Sequence, residues 1–128
     1  MPHMRIFVFG NPDISMDSGP LRLLPHLRAT FPTVSFETLD PNEEWEVPRN
    51  MNIIDTVVGI DTVTVFQGLD RFMKAPRMTC HDFDAYANLL LLRKLGKIED
   101  VTIIGVPPTL SEEDSRAPVT KEVERLIS

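Results

Sequence analysis

Three residues of this 128-residue chain combine reactive side chains with unusual surroundings: Asp17, Asp55 and His81. Asp17 lies in the stretch Phe9-Gly10-Asn11-Pro12-Asp13-Ile14-Ser15-Met16-Asp17-Ser18-Gly19-Pro20, between an apolar run and a leucine-rich segment. Gly and Asn tolerate positive φ, so the chain can turn sharply there. A carboxylate just ahead of a helix start is favoured by the helix dipole. Asp55 interrupts the apolar run Asn52 to Val58, where a charge is expensive unless it is paired or metal-bound. His81 immediately precedes a predicted helix. A helix N-terminus disfavours the imidazolium and keeps the ring neutral, able to bind a metal. Two carboxylates and one imidazole form a mixed oxygen and nitrogen set. It suits zinc or nickel, with positions left open for water or substrate.

Each residue also has a plainer reading. Asp17 can be a helix cap, Asp55 a buried carboxylate satisfied by backbone N–H groups, and His81 a polar loop residue. Cys80 beside His81 is read as inert, because neighbours on an extended chain point in opposite directions. Asp61 is assigned to a turn, and Glu43, Glu44 and Glu46 to a solvated face.

The elements that must position these residues follow from hydrophobic periodicity. Arg5 to Phe9 is a strand covered on both faces. Leu23, Leu24, Leu27 and Phe31 form one face of a helix over Leu21 to Phe31, in which Pro25 either kinks the helix or delays its start. Val34 to Leu39 alternates like a strand near a sheet edge, and Asn52 to Val58 is a second buried strand. A tight turn at Gly59-Ile60-Asp61 leads into Thr62 to Gln67, which predicts a hairpin with this strand antiparallel to its predecessor. Leu69 to Cys80 reads as a long loop. Its Leu69 to Met78 part, with Lys74 and Arg77, is either a substrate-contacting loop or ordinary surface. A largely buried helix capped by Asp82 or Asp84 runs to about Leu95 and stops at Gly96. Asp100 to Val106 is a buried strand, Ser111 to Ser115 an acidic loop, and Val119 to Ile127 a terminal helix. The pattern implies a single α/β domain over residues 1–128. It is a three-layer sandwich with a twisted, mostly parallel sheet of about five strands, one of them antiparallel, and helices on both faces.

Composition narrows the function classes. Thirteen basic against 19 acidic residues give a net charge of −6, which argues against a broad nucleic-acid surface and against anionic membranes. The single cysteine, Cys80, excludes an intrachain disulfide framework and fits a reducing compartment. No segment approaches the ~18 apolar residues of a membrane span. The expectation is a soluble cytoplasmic protein. There is no Walker loop, no dinucleotide fingerprint and no Gly-x-Ser-x-Gly elbow.

Taken together, the motifs resemble those of the hydrogenase maturation endopeptidases. Gly10-Asn11, four residues and Met16-Asp17 resemble that family's Gly-Asn-x4-Asp-(Asp/Glu) opening, with Met16 in place of the first acid and Ser18 in place of the usual glycine. Ile53-Ile54-Asp55-Thr56-Val57 is similar to its second acidic motif, and Cys80-His81 before a leucine-rich helix to its Ser/Thr-His motif. Ile103-Ile104-Gly105-Val106-Pro107-Pro108 is similar to its penultimate strand and turn. The resemblance spans nearly the whole chain, in order and spacing. It implies an endopeptidase that removes the C-terminal extension of a [NiFe]-hydrogenase large-subunit precursor after nickel insertion. Asp17, Asp55 and His81 would then occupy metal-binding positions, with Asp17 and Asp55 also catalytic. The nickel would be that of the precursor, and zinc or cadmium are other divalent metals for the same position. Peptide cleavage would use either a metal-polarised carbonyl or water, or an acidic residue as general base. The alternative is a non-catalytic maturation chaperone that holds the nickel-loaded precursor.

Overall fold

The computed structural model describes residues 4–10, 18–39, 45–69 and 80–128, with backbone alone over 80–85. Its elements are β1 (Arg5–Val8), α1 (Gly19–Arg22), α2 (Leu24–Thr30), β2 (Ser35–Thr38), β3 (Asn50–Thr56), β4 (Thr64–Gln67), α3 (Cys80–Lys94), β5 (Asp100–Val106) and α4 (Glu112–Ile127). The five strands form one sheet in the order β2-β1-β3-β5-β4, and only the β4–β5 pair is antiparallel.

Alternation along each strand divides the core in two. Phe7, Met51, Ile53, Val101 and Ile103 pack with Tyr86 and Leu89 of α3 on one face. Ile6, Val8, Ile54, Ile104 and Val106 pack with Leu23, Leu24 and Leu27 around α2 and with Val119 and Val123 of α4 on the other. The result is the expected α/β sandwich.

Four details differ from the sequence reading, each for a local reason. The first helix comes in two pieces, separated at Leu23. Pro25 then falls in the first turn of α2, where its missing N–H costs nothing. The Thr62–Gln67 segment does not form a hairpin with β3. It runs antiparallel to β3 but pairs with β5, which lies between them, so Asp61 is an exposed residue of a crossing connection rather than of a hairpin turn. The helix of Cys80–Lys94 already includes Cys80, so His81 and Asp82 lie within it rather than ahead of it. Finally, 112–115 is helix, not loop. Ser111 caps α4 by accepting the Asp114 N–H on its Oγ at 3.0 Å, and Glu112, Glu113 and Asp114 complement the dipole of the first turn. Pro118 is carried inside α4, which is why the sequence places the helix start one residue later. Ser111→Ala is expected to lower stability by about 1 kcal/mol, read as a smaller denaturant midpoint at unchanged slope.

The connection from α3 to β5 fixes the direction of that helix. Gly96 has φ +75°, and Lys97 N–H bonds to Leu92 O, the pattern of a glycine-terminated helix end. Glu99 N–H then bonds to Arg49 O, just ahead of β3. The C-terminus of α3 therefore sits at the N-terminal ends of β3 and β5. A 15-residue helix and a seven-residue strand are of similar length, roughly 22 Å each. The first turn of α3 thus lies at the C-terminal ends of the parallel strands.

Candidate active site

Asp55 is fully buried, with 0% of its surface exposed. It is the sixth residue of β3 and follows Met51 and Ile53 on the face that packs against α3. Its surroundings explain how a carboxylate is tolerated there. Just past β3, Val57 N–H bonds to Val106 O of β5, whereas Ile54 O within β3 accepts Phe9 N–H just past β1. By alternation the Thr56 N–H faces the β1 side, beyond the point where β1 ends at Val8. The Asp55 carboxylate takes up that N–H, with Oδ1 accepting it at 2.8 Å. The aspartate therefore closes the ladder at the place where β1 and β3 part.

That place is also where the chain order reverses. From β1 the chain moves outward to β2, and it then returns to the other side of β1 as β3. In open α/β sheets such a switch point, at the carboxyl ends of the strands, forms the crevice in which ligands bind. The residues on both flanks of the opening loop reach this end of the sheet. Phe9 bonds to Ile54, and the chain re-enters α1 at Ser18, which is buried. Asp17 itself lies outside the described residues. So do Glu43, Glu44 and the stretch 70–79 that contains Lys74 and Arg77. His81 is in the first turn of α3 at the same end of the sheet, and its side chain lies outside the described residues, as does that of Cys80. Among the described residues no three His, Cys, Asp or Glu side chains gather to hold a metal ion. Asp55 is the one member of the predicted set with a described side chain.

Two residues on the Asp55 face of the sheet carry no motif in the sequence reading. Gly105 of β5 is the register partner of both Asp55 on β3 and Thr64 on β4. Tyr86, the chain's single tyrosine, is 2% exposed and belongs to the same cluster as Ile53 and Val57. A tyrosine little more than one helical turn past His81 was a readable signal for an inward-facing polar group. Gly105 had none, because its need for a missing Cβ comes from segments far away in sequence. Trp45, called only a loop or short-helix residue, is buried and packs against Phe9 with ring centroids 5.7 Å apart, whereas Glu46 is exposed as predicted.

The fold is that of a known class of proteins. The E. coli hydrogenase maturating endopeptidase HybD superposes with a TM-score of 0.66 at 18% identity, over 97% of this chain and 92% of HybD. An uncharacterized protein from Wolinella succinogenes superposes with a TM-score of 0.57 at 13% identity, over 98% of this chain and 96% of that one. At these identities the likeness is one of fold. No family model matches the sequence, and no curated protein matches it. No helix among the described residues is long and apolar enough to cross a membrane.

Proposed function

We propose that this chain is a maturation endopeptidase that trims the C-terminal extension of a [NiFe]-hydrogenase large-subunit precursor in the cytoplasm. The observation that carries the reading is the position of Asp55. A fully buried carboxylate stands at the switch point of a HybD-like sheet, on the face of the helix whose first turn contains His81. A charge buried in an apolar strand is costly, and such sites are commonly retained for chemistry. In this reading Asp17, Asp55 and His81 engage the nickel of the precursor, which is part of the substrate. The carboxylates of Asp17 and Asp55 assist attack of water on the adjacent peptide bond.

The test is a mass measurement. Nickel-loaded precursor is incubated with the protein and its intact mass followed. Loss of a C-terminal peptide is expected, and it should disappear with His81→Ala. A precursor that is bound tightly without losing mass would overturn the peptidase reading in favour of a holding protein. If metal-free precursor is cut as fast as the loaded form, nickel recognition falls.

A further inference from the structure

We propose that the outer edge of β4 takes up an extended segment of the substrate, the C-terminal extension of the precursor, as an added strand beside the site. The inference rests on the reading that the substrate is a protein. It starts from the hydrogen bonding of β4. Gly68 N–H bonds to Val101 O at 2.8 Å, and the register pairs Phe66 with Ile103 and Thr64 with Gly105. In an antiparallel pair the residues that exchange bonds alternate with those that do not. Thr64, Phe66 and Gly68 therefore turn their backbone groups toward β5, and Val65 and Gln67 turn theirs outward. β4 ends the strand order, so these outward N–H and C=O groups meet no strand among the described residues.

A row of outward donors and acceptors at strand spacing is complementary to one kind of partner, an extended peptide backbone. A second feature gives that partner a side-chain position. A groove of about 320 Å³ runs beside the edge, lined by Val65, Gln67 and Ile104 from the sheet and Glu122, Arg125 and Leu126 from α4. Alternate side chains of an added strand would face it. Its apolar floor and charged rim suit one medium-sized apolar side chain. The edge also leads to the candidate site. Thr64 is level with Gly105, and Gly105 with Asp55. An added strand would lie three strand spacings from β3, roughly 14 Å, which about four extended residues cross. A segment leaving a cut at Asp55 would cross the end of the sheet and then run down the β4 edge parallel to β4. Four residues of edge make a modest contact, which suits a peptide that must leave after cleavage.

The experiment uses the whole protein and the nickel-loaded precursor. Gln67→Pro removes one outward N–H, and proline is tolerated on an edge strand when that N–H faces solvent. KM for the precursor should rise roughly three- to tenfold with kcat unchanged, the loss of about one hydrogen bond. In the wild-type protein, exchange of the Val65 and Gln67 amides should slow at least about tenfold on adding precursor, a readout that does not depend on the variant folding. If wild-type protein cuts the precursor but Gln67→Pro leaves KM unchanged and these amides gain no protection, the edge inference is wrong and the peptidase reading stands. If the edge instead pairs with a second copy of the chain, seen as a dimer that Gln67→Pro dissolves with KM unchanged, it is equally wrong. Failure of wild-type protein to bind or cut the precursor takes down both.

Discussion

On the proposed peptidase reading, Asp55→Asn will leave the fold intact and reduce precursor trimming by about 10²–10⁴-fold, the range lost when a positioned acid–base group is removed. The substitution keeps the shape and keeps an oxygen to accept the Thr56 N–H, which the carboxylate now holds at 2.8 Å. What it removes is the charge. An amide is a poor metal ligand and no base at neutral pH, so both cleavage routes lose their negative group. Because Asp55 is 0% exposed, the folded state carries the cost of burying a carboxylate. Removing that charge should leave the far-UV spectrum and the melting temperature near those of the parent, as expected where a residue is kept for activity rather than stability. Single-turnover trimming followed by intact mass, beside a melting curve, separates the two effects. A variant that trims within about threefold of wild type would remove Asp55 from the mechanism. Asp55→Glu is a sharper control. It keeps the charge but pushes an extra methylene into a packed site, so it should lose both stability and activity.

Asp55 was legible from the sequence because it breaks an apolar run, and β3 and β5 were legible for the same physical reason. Strands buried on both faces carry adjacent apolar residues, as in Ile53-Ile54 of β3 and Ile103-Ile104 of β5. The partner of β4 was not legible. A short connection after β3 looks locally like a hairpin turn, and nothing nearby in sequence announces that β5, more than thirty residues on, will insert between the two. The start of α3 was blurred because Asp82 and Asp84 both have the chemistry of a helix cap, although the helix already includes Cys80. The start of α4 was hidden by Pro118, which reads as a boundary although Ser111 and Asp114 supply the real one. For the site, residue types pointed to Asp55 and His81, and topology puts their elements at one end of the sheet. That shared placement depends on the direction of α3, set by the contacts of Lys97 and Glu99, and no motif encodes it.

Gly105→Ala will destabilise the protein and disturb the same end of the sheet. Gly105 is bracketed by Asp55 and Thr64 in register, and a Cβ there would lie 2.9 Å from Phe66 Cε2, 2.9 Å from Val57 Cγ2 and 3.3 Å from Ile60 Cδ1. The missing side chain lets Phe66 of β4 and the chain that follows β3 close over β5. The requirement is steric: Gly105 is not among the glycines with positive φ. Forcing a methyl into a packed site typically costs about 1–3 kcal/mol. Losing a glycine's unfolded-state entropy returns about 0.4–1 kcal/mol. The net loss is about 1–2 kcal/mol, a fall of roughly 3–10 °C in melting temperature. The strain must be relieved by moving Phe66 outward or Val57 aside. Val57 is two residues past Asp55, so trimming measured well below the melting temperature should fall as well. The cause can be isolated by a double-mutant cycle with Val57→Ala. That truncation opens a cavity by itself, but combined with Gly105→Ala it also makes room for the new methyl. The double variant should therefore be more stable than the sum of the two single losses by about 1 kcal/mol. Strict additivity would mean that Val57 is not what the methyl strikes, and the strain would then fall on Phe66 and on the seating of β4 against β5.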